Sequence, residues 1–123
     1  MTKFKILFVD DDELVLRVAM IHLKSDKIDL FFAETGEECL EILKKDVKFD
    51  LILLDFMLPD TDGITILKQI RSCKKHRKTP VIIQTGVIDI SANLLTELSC
   101  RVMYKPYSKI DLLGEIEKLG LII

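Results

Sequence analysis

Hydrophobic residues gather in five short runs along this chain: KILFV (5–9), LFFA (30–33), LILL (51–54), VIIQ (81–84) and VMY (102–104). The first, third and fourth are nearly unbroken, which predicts strands covered on both faces of a parallel sheet rather than strands with one wet face. Between the runs the apolar spacing changes to every third or fourth residue, the period of a helix. Leu14, Val18 and Ile21, with His22 beside them and Lys24 beyond, predict one apolar stripe on a first helix. Leu40 and Leu43 mark a second over 37–45, and Ile64, Leu67 and Ile70 a third. A short fourth helix is predicted over 91–99, and a fifth over 108–120 carrying Ile110, Leu113 and Ile116. Ser91 and Ser108 stand where a side-chain oxygen would accept from the first free N–H groups of those helices.

Strand and helix alternate five times, so right-handed crossovers place the helices on both sides of one parallel sheet. No linker, repeat or low-complexity segment interrupts the pattern, and the expectation is one domain over 1–123. With 123 residues, 49% hydrophobic and 31% charged, the chain is long enough and apolar enough for a sizeable core. A net charge of -2 gives no overall attraction to nucleic acid or to an anionic membrane, and neither is expected as a direct partner. The cationic stretch KKHRK (74–78) reads as a solvated loop, and His22 and His76, too far apart for a metal pair, as surface residues. No run approaches the ~20 apolar residues of a membrane span. Cys39, Cys73 and Cys100, odd in number and widely spaced, suit reduced and at least half-buried thiols in a cytoplasmic protein.

Acidic residues change the picture. Asp10, Asp11 and Asp12 follow the first strand, and Asp55 follows the third. In an open parallel sheet, ligands bind beyond the carboxyl ends of the strands, where the strand order reverses. Carboxylates converging there repel one another and call for a cation. Oxygen donors without clustered His or Cys select a hard ion, and Mg²⁺ is the expected one. Thr85 and Lys105 end the fourth and fifth strands at the same edge. A hydroxyl, an ammonium, a cation and a spare carboxylate form a place to hold a phosphoryl group. Asp12 has a second reading as the cap of the first helix, and Asp62, in the turn-rich PDTDG, as the cap of the third.

These landmarks, ILFVDDDE, DLILLDFMLPDTDGI, VIIQTG and YKPY, together resemble the response-regulator receiver domain of two-component signalling, similar to the chemotaxis regulators. AETGEECL (33–40) resembles the family's segment at the start of its second helix. The spacing agrees, with 44 positions from Asp11 to Asp55 and 30 from Asp55 to Thr85. The resemblance implies a flavodoxin-like, doubly wound (βα)5 three-layer sandwich of the α/β class, with a five-stranded parallel sheet in the order 2-1-3-4-5, the order for which receiver proteins are a standing example. It implies Asp55 as phosphoacceptor, Thr85 as switch hydroxyl and Lys105 as the partner of the phosphoryl oxygens. Asp10, Asp11, Asp55 and the backbone carbonyl of Met57 would bind Mg²⁺, and Lys105–Pro106 would be a cis peptide. The donor would be a sensor histidine kinase or phosphotransfer protein; downstream, a target or output domain unknown from the sequence, and a phosphorylation-dependent homodimer, are the partners the resemblance raises. The protein would be a self-phosphorylating phosphoacceptor, not an enzyme in the ordinary sense.

Three departures qualify the likeness. The family's aromatic switch position holds Val102, with Tyr104 two residues on as a substitute on the same strand face. The Thr85–Lys105 interval is slightly short. Met57 and Val87 place apolar side chains on the path of the water that hydrolyses an acyl phosphate, which predicts a persistent phosphoryl group. A pseudo-receiver that keeps the fold without phosphorylation is the alternative. A haloacid-dehalogenase-like phosphatase fits less well, because Leu14 replaces the Thr or Val of its motif and Asp55 is left without a role. A calcium loop at DTDG fails on its first and last ligand positions, Leu58 and Gln69.

Overall fold

A computed structural model describes residues 3–86 and 90–120. Five strands, β1 (Phe4–Val9), β2 (Ile28–Ala33), β3 (Leu51–Asp55), β4 (Val81–Thr85) and β5 (Arg101–Tyr104), pair in parallel in the order β2-β1-β3-β4-β5. Helices α1 (Glu13–His22), α2 (Gly36–Leu43), α3 (Gly63–Ser72), α4 (Ala92–Glu97) and α5 (Lys109–Lys118) follow the strands in turn, with one 3-10 turn at Lys74–His76. The expected architecture and strand order are both present. Every residue of β3 and β4 is buried, as expected of nearly unbroken apolar runs covered on both faces, and the polar Asp55, Gln84 and Thr85 at their ends are buried with them.

The sheet separates two cores. Leu7, Val9, Ile52, Leu54, Val81 and Ile83 pack with α2 and α3 on one face. Ile6, Phe8, Leu51, Leu53, Ile82 and Met103 pack with α1 and α5 on the other. The alternation follows from the pleat, which turns successive side chains to opposite faces.

Helix starts agree with the caps read from sequence. Asp12 accepts from the Leu14 N–H and Asp62 from the Thr65 N–H, while Ser91 and Ser108 cap α4 and α5. Ser108 and Asp111 form a reciprocal capping box. Gly63 opens α3 hard against β3: a Cβ there would lie 2.7 Å from the Asp55 carbonyl oxygen and 3.0 Å from the Phe56 Cα. Only glycine lets the helix start this close to the strand tip.

Four expectations need correction. The stripe Leu14, Val18 and Ile21 faces outward, with Leu14 68% and Ile21 73% exposed, while Leu16, Ala19 and Leu23 are buried. The α1 sequence ELVLRVAMIH is apolar on two faces, and the face with the small Ala19 allows the closer approach to the sheet. In α5, Ile110 is likewise exposed, and Leu112 and Ile116 carry the packing. His76 is fully buried, its Nε2 3.3 Å from the Leu43 carbonyl and its ring 6.5 Å from Phe49; burial, with the nearby Lys75 charge, holds it below the ordinary histidine pKa against the opposing pull of the Leu43 carbonyl. Cys73 is exposed, whereas Cys39 is buried and Cys100 half-buried. Among the described residues no helix is long and apolar enough to cross a membrane.

Candidate functional site

Neighbouring tips of β1, β3, β4 and β5 bring the acids, the hydroxyl and the lysine to one edge. In register, Val9 pairs with Leu54, Asp55 with Gln84 and Thr85 with Tyr104. Asp10 therefore leaves β1 beside the end of β3, where Asp55 is the last strand residue. Carboxylate oxygens of Asp10, Asp11 and Asp55 lie within 4.8 Å of one another. Asp10 is 1% exposed and Asp55 7%, whereas Asp11 is open to solvent.

Lys105 is the local counter-charge. Its Nζ stands 2.8 Å from Asp10 Oδ2 and 3.3 Å from Asp55 Oδ1. The remaining Asp10 oxygen accepts from the Asp12 N–H at 2.9 Å, which fixes the rotamer. The Lys105 N–H donates to the Thr85 carbonyl at 2.8 Å, so the end of β4 holds this lysine, the residue after β5, through the backbone as well. The Lys105–Pro106 bond is cis, as the resemblance implied.

One ammonium does not balance the cluster. Burial and the neighbouring Asp10 push Asp55 up to about 6, against the opposing pull of Lys105 and the Met57 N–H. For Lys105, burial alone would lower the pKa; the hydrogen bond and charge of Asp10, with Asp55 behind it, overcome that and raise it. Negative charge is thus in excess where three oxygen donors already converge. A small dication fits this donor set, with Asp11 the acid most accessible to it.

Thr85 is 2% exposed at the end of β4 and directly precedes Gly86. Met57 follows Asp55 by two residues, is itself 63% exposed, and turns its N–H toward the Asp55 carboxylate. Val87 lies outside the described residues. Val102 is half-buried and Tyr104 exposed at the edge strand.

Three neighbours received no role from the sequence. Asp60 accepts from the N–H groups of Gly36 and Glu37, both at 2.9 Å, so the β3–α3 loop carries a carboxylate to the start of α2. Those two donors hold Asp60 below the usual carboxylate range. Tyr107 donates to Gln84 Oε1 beneath the site, and burial, then Asp10 and Asp55, raise its phenol. Gln84 is fully buried and its Nε2 has no hydrogen-bond partner among the described residues. The one polar residue in the run VIIQ was the available signal for this pair.

Comparison with known proteins agrees with this geometry. A model of the response regulator receiver domain matches residues 6–117. The regulatory protein VanR of Enterococcus faecium is 34% identical over 116 residues, covering 92% of this chain and 48% of its own. The cell cycle transcriptional regulator CtrA of Caulobacter vibrioides is 32% identical over 114 residues, covering 91% and 48%. The chain thus spans about half the length of the curated relatives it matches. Among solved structures, the chemotaxis response regulator CheY4 of Vibrio cholerae superposes with a TM-score of 0.85 at 22% identity, covering 96% of this chain and 99% of that one. A putative response regulator from Chloroflexus aurantiacus gives 0.84 at 27% identity, covering 96% and 98%. This chain belongs to the response regulator receiver domain family of two-component systems.

Proposed function

We propose that residues 1–123 act as one phosphoacceptor unit in which Asp55 takes a phosphoryl group from a phosphohistidine of a sensor kinase or phosphotransfer protein. The observation that carries this is the excess of carboxylate around a single lysine: Asp10, Asp11 and Asp55 share one edge with Lys105 in contact with two of them. Asp10, Asp11, Asp55 and the Met57 carbonyl would hold Mg²⁺, which supplies charge neutralisation for the phosphoryl oxygens. An Asp55 carboxylate oxygen attacks phosphorus in line as the phosphorus–nitrogen bond to the donor imidazole breaks; the bond electrons return to the imidazole, and an acyl phosphate remains. Lys105 then has an additional anion to pair with, and its position between Asp10 and Asp55 suits it to turn toward the new oxygens. Thr85 offers its hydroxyl at the neighbouring strand tip and transmits the change to the residues after β4.

On the exposed face of α1, Leu14 and Val18 line an apolar groove shared with Lys105 and Pro106. An apolar face next to the acceptor supports docking of a donor protein there. The same reading places the protein in the cytoplasm, as a signalling phosphoacceptor and not a turnover enzyme.

Incubation with acetyl phosphate and Mg²⁺ followed by intact mass measurement tests it. One phosphoryl adduct per chain is expected, absent when the metal is chelated. A protein that stays unmodified would instead be a pseudo-receiver, and steady hydrolysis of small phosphomonoesters would make it a phosphatase. The adduct should also be long-lived, because the exposed Met57 side chain cannot orient a hydrolytic water. Met57→Asn is expected to shorten its half-life several-fold, an effect of about 1 kcal/mol on the barrier; an unchanged half-life would remove that argument.

A further inference from the structure

A second concentration of charge, of opposite sign, lies at the other edge of the sheet. Where β4 and β5 begin, a cavity of about 330 Å³ is walled by Arg71, Arg77, Lys78, Ser99 and Arg101. Pro80, Val81 and Leu119 give it an apolar floor. No Asp or Glu is among the lining residues. That volume is at the small end of the range of roughly 300–1,000 Å³ common for small-molecule sites.

The four cations differ in their state. Arg71 leaves the end of α3 and donates only to backbone carbonyls: Nε to Leu98 at 2.8 Å, Nη1 to His76 at 3.0 Å and Thr79 at 2.7 Å, and Nη2 to Ser99 at 3.1 Å. Four of its five N–H groups are engaged, so the guanidinium is immobile, yet carbonyl dipoles solvate its charge without cancelling it. One Nη2 hydrogen remains. Arg77 and Lys78 are exposed and have no carboxylate within ion-pair distance among the described residues. Arg101 is the exception, with Nη2 2.8 Å from Glu115 Oε2 on α5, and Glu115 also meets Lys118 at 3.3 Å. Ser99 adds a further mark: among the described residues it is the non-glycine residue held at positive φ, 50°, and its carbonyl accepts from Arg71. A side chain in that region is strained, and surrounding contacts must hold it there.

Three uncompensated cations around one concave, apolar-floored space form a trap for an anion. One cation is rigid, and two are mobile enough to close over a ligand. The KKHRK stretch, read as an ordinary solvated loop from sequence, supplies the mobile pair. We propose that this amino-edge cavity binds a small phosphate-bearing anion, its phosphate between Arg71, Arg77 and Lys78 and its body on Pro80, Val81 and Leu119. Phosphate suits the donors better than carboxylate, since its oxygens point in several directions and can meet a planar guanidinium and an ammonium at once. The site is at the opposite end of the strands from Asp55 and needs no part of the phosphoacceptor machinery.

Pyrophosphate titrated into the ¹⁵N-labelled protein at constant ionic strength, read by amide shifts, tests the proposal. Saturable shifts are expected at Lys78, Ser99 and Arg101. The double variant Arg77→Glu, Lys78→Glu, at two exposed positions, should weaken binding at least about tenfold and still accept a phosphoryl group from acetyl phosphate. Asp55→Asn should leave the titration unchanged. Shifts confined to the Asp10–Lys105 edge, shifts that never saturate, or equal affinity in the double variant would overturn the assignment.

Discussion

Asp55→Asn is expected to leave the protein unable to carry a phosphoryl group and, without metal, more stable than the parent. Loss of the adduct should be complete, because the amide is no nucleophile and the neighbouring acids are not placed to replace it: Asp10 is spent on Lys105 and the Asp12 N–H, and Asp11 is turned to solvent. The gain in stability has an electrostatic origin. Burial and Asp10 push Asp55 up to about 6 from an ordinary 3.8. Its folded pKa exceeds its unfolded one, so the folded state holds the proton more tightly between those values. Stability contributed by that proton is complete below pH 3.8 and is lost as pH rises through about 6. At neutral pH the parent therefore bears an ionised carboxylate in an unfavourable place, a burden of roughly 2–3 kcal/mol. Asn removes the charge while keeping the shape. Denaturant unfolding in chelator should show the variant ahead by about 1–3 kcal/mol at pH 7.5 and level with the parent near pH 4. Saturating Mg²⁺ should narrow the gap, since the parent offers the metal one more carboxylate and has more repulsion to relieve. Equal stability at both pH values would mean that the acids are not in conflict.

Much of this site was legible because a parallel sheet orders its own edge. Once LILLD and VIIQT are read as adjacent buried strands, their last residues must meet, and Asp55 pairs in register with Gln84 beside Thr85. Side-chain caps were legible too, since Asp12, Asp62, Ser91 and Ser108 each act within three residues of their own position. Facing was harder. Helix α1 offers two apolar stripes of equal period, and which one turns inward depends on how closely the sheet admits it; Ala19 decides that, and periodicity does not. His76 shows the same limit from the polar side. Its cationic neighbours suggested a wet loop, but a 3-10 turn carries the ring under Phe49, while the lysines and Arg77 around it stay exposed. Contacts between distant segments left no local trace at all. The reach of Asp60 to Gly36, and of Arg71 to Ser99, joins residues whose separation along the chain says nothing about their meeting.

Removing the cation from the same cluster should have the opposite consequence. Lys105→Met keeps the length and apolar stem of the side chain but strips the ammonium from Asp10, 1% exposed, and from Asp55. Breaking a fully buried pair by deleting one partner typically costs about 3–5 kcal/mol. The Lys105 side chain is 28% exposed, so water reaches the site and the expected loss at pH 7.5 in chelator is nearer 2–3 kcal/mol. Two responses separate this charge effect from lost packing. Acid should restore stability, because protonating Asp55 removes one of the unbalanced charges, and the deficit should shrink by pH 5. Mg²⁺ should restore it as well, and by more than it stabilises the parent, since the metal enters a site with no competing ammonium. Phosphorylation should fall sharply all the same, for the ammonium that pairs with the phosphoryl oxygens is gone. A deficit that is the same at pH 5 and 7.5 and indifferent to Mg²⁺ would instead assign Lys105 a packing role and leave the carboxylates without a resident counter-charge. In that event the three acids could not be treated as one electrostatic unit, and the opposite signs expected for the Asp55 and Lys105 variants would have no common cause.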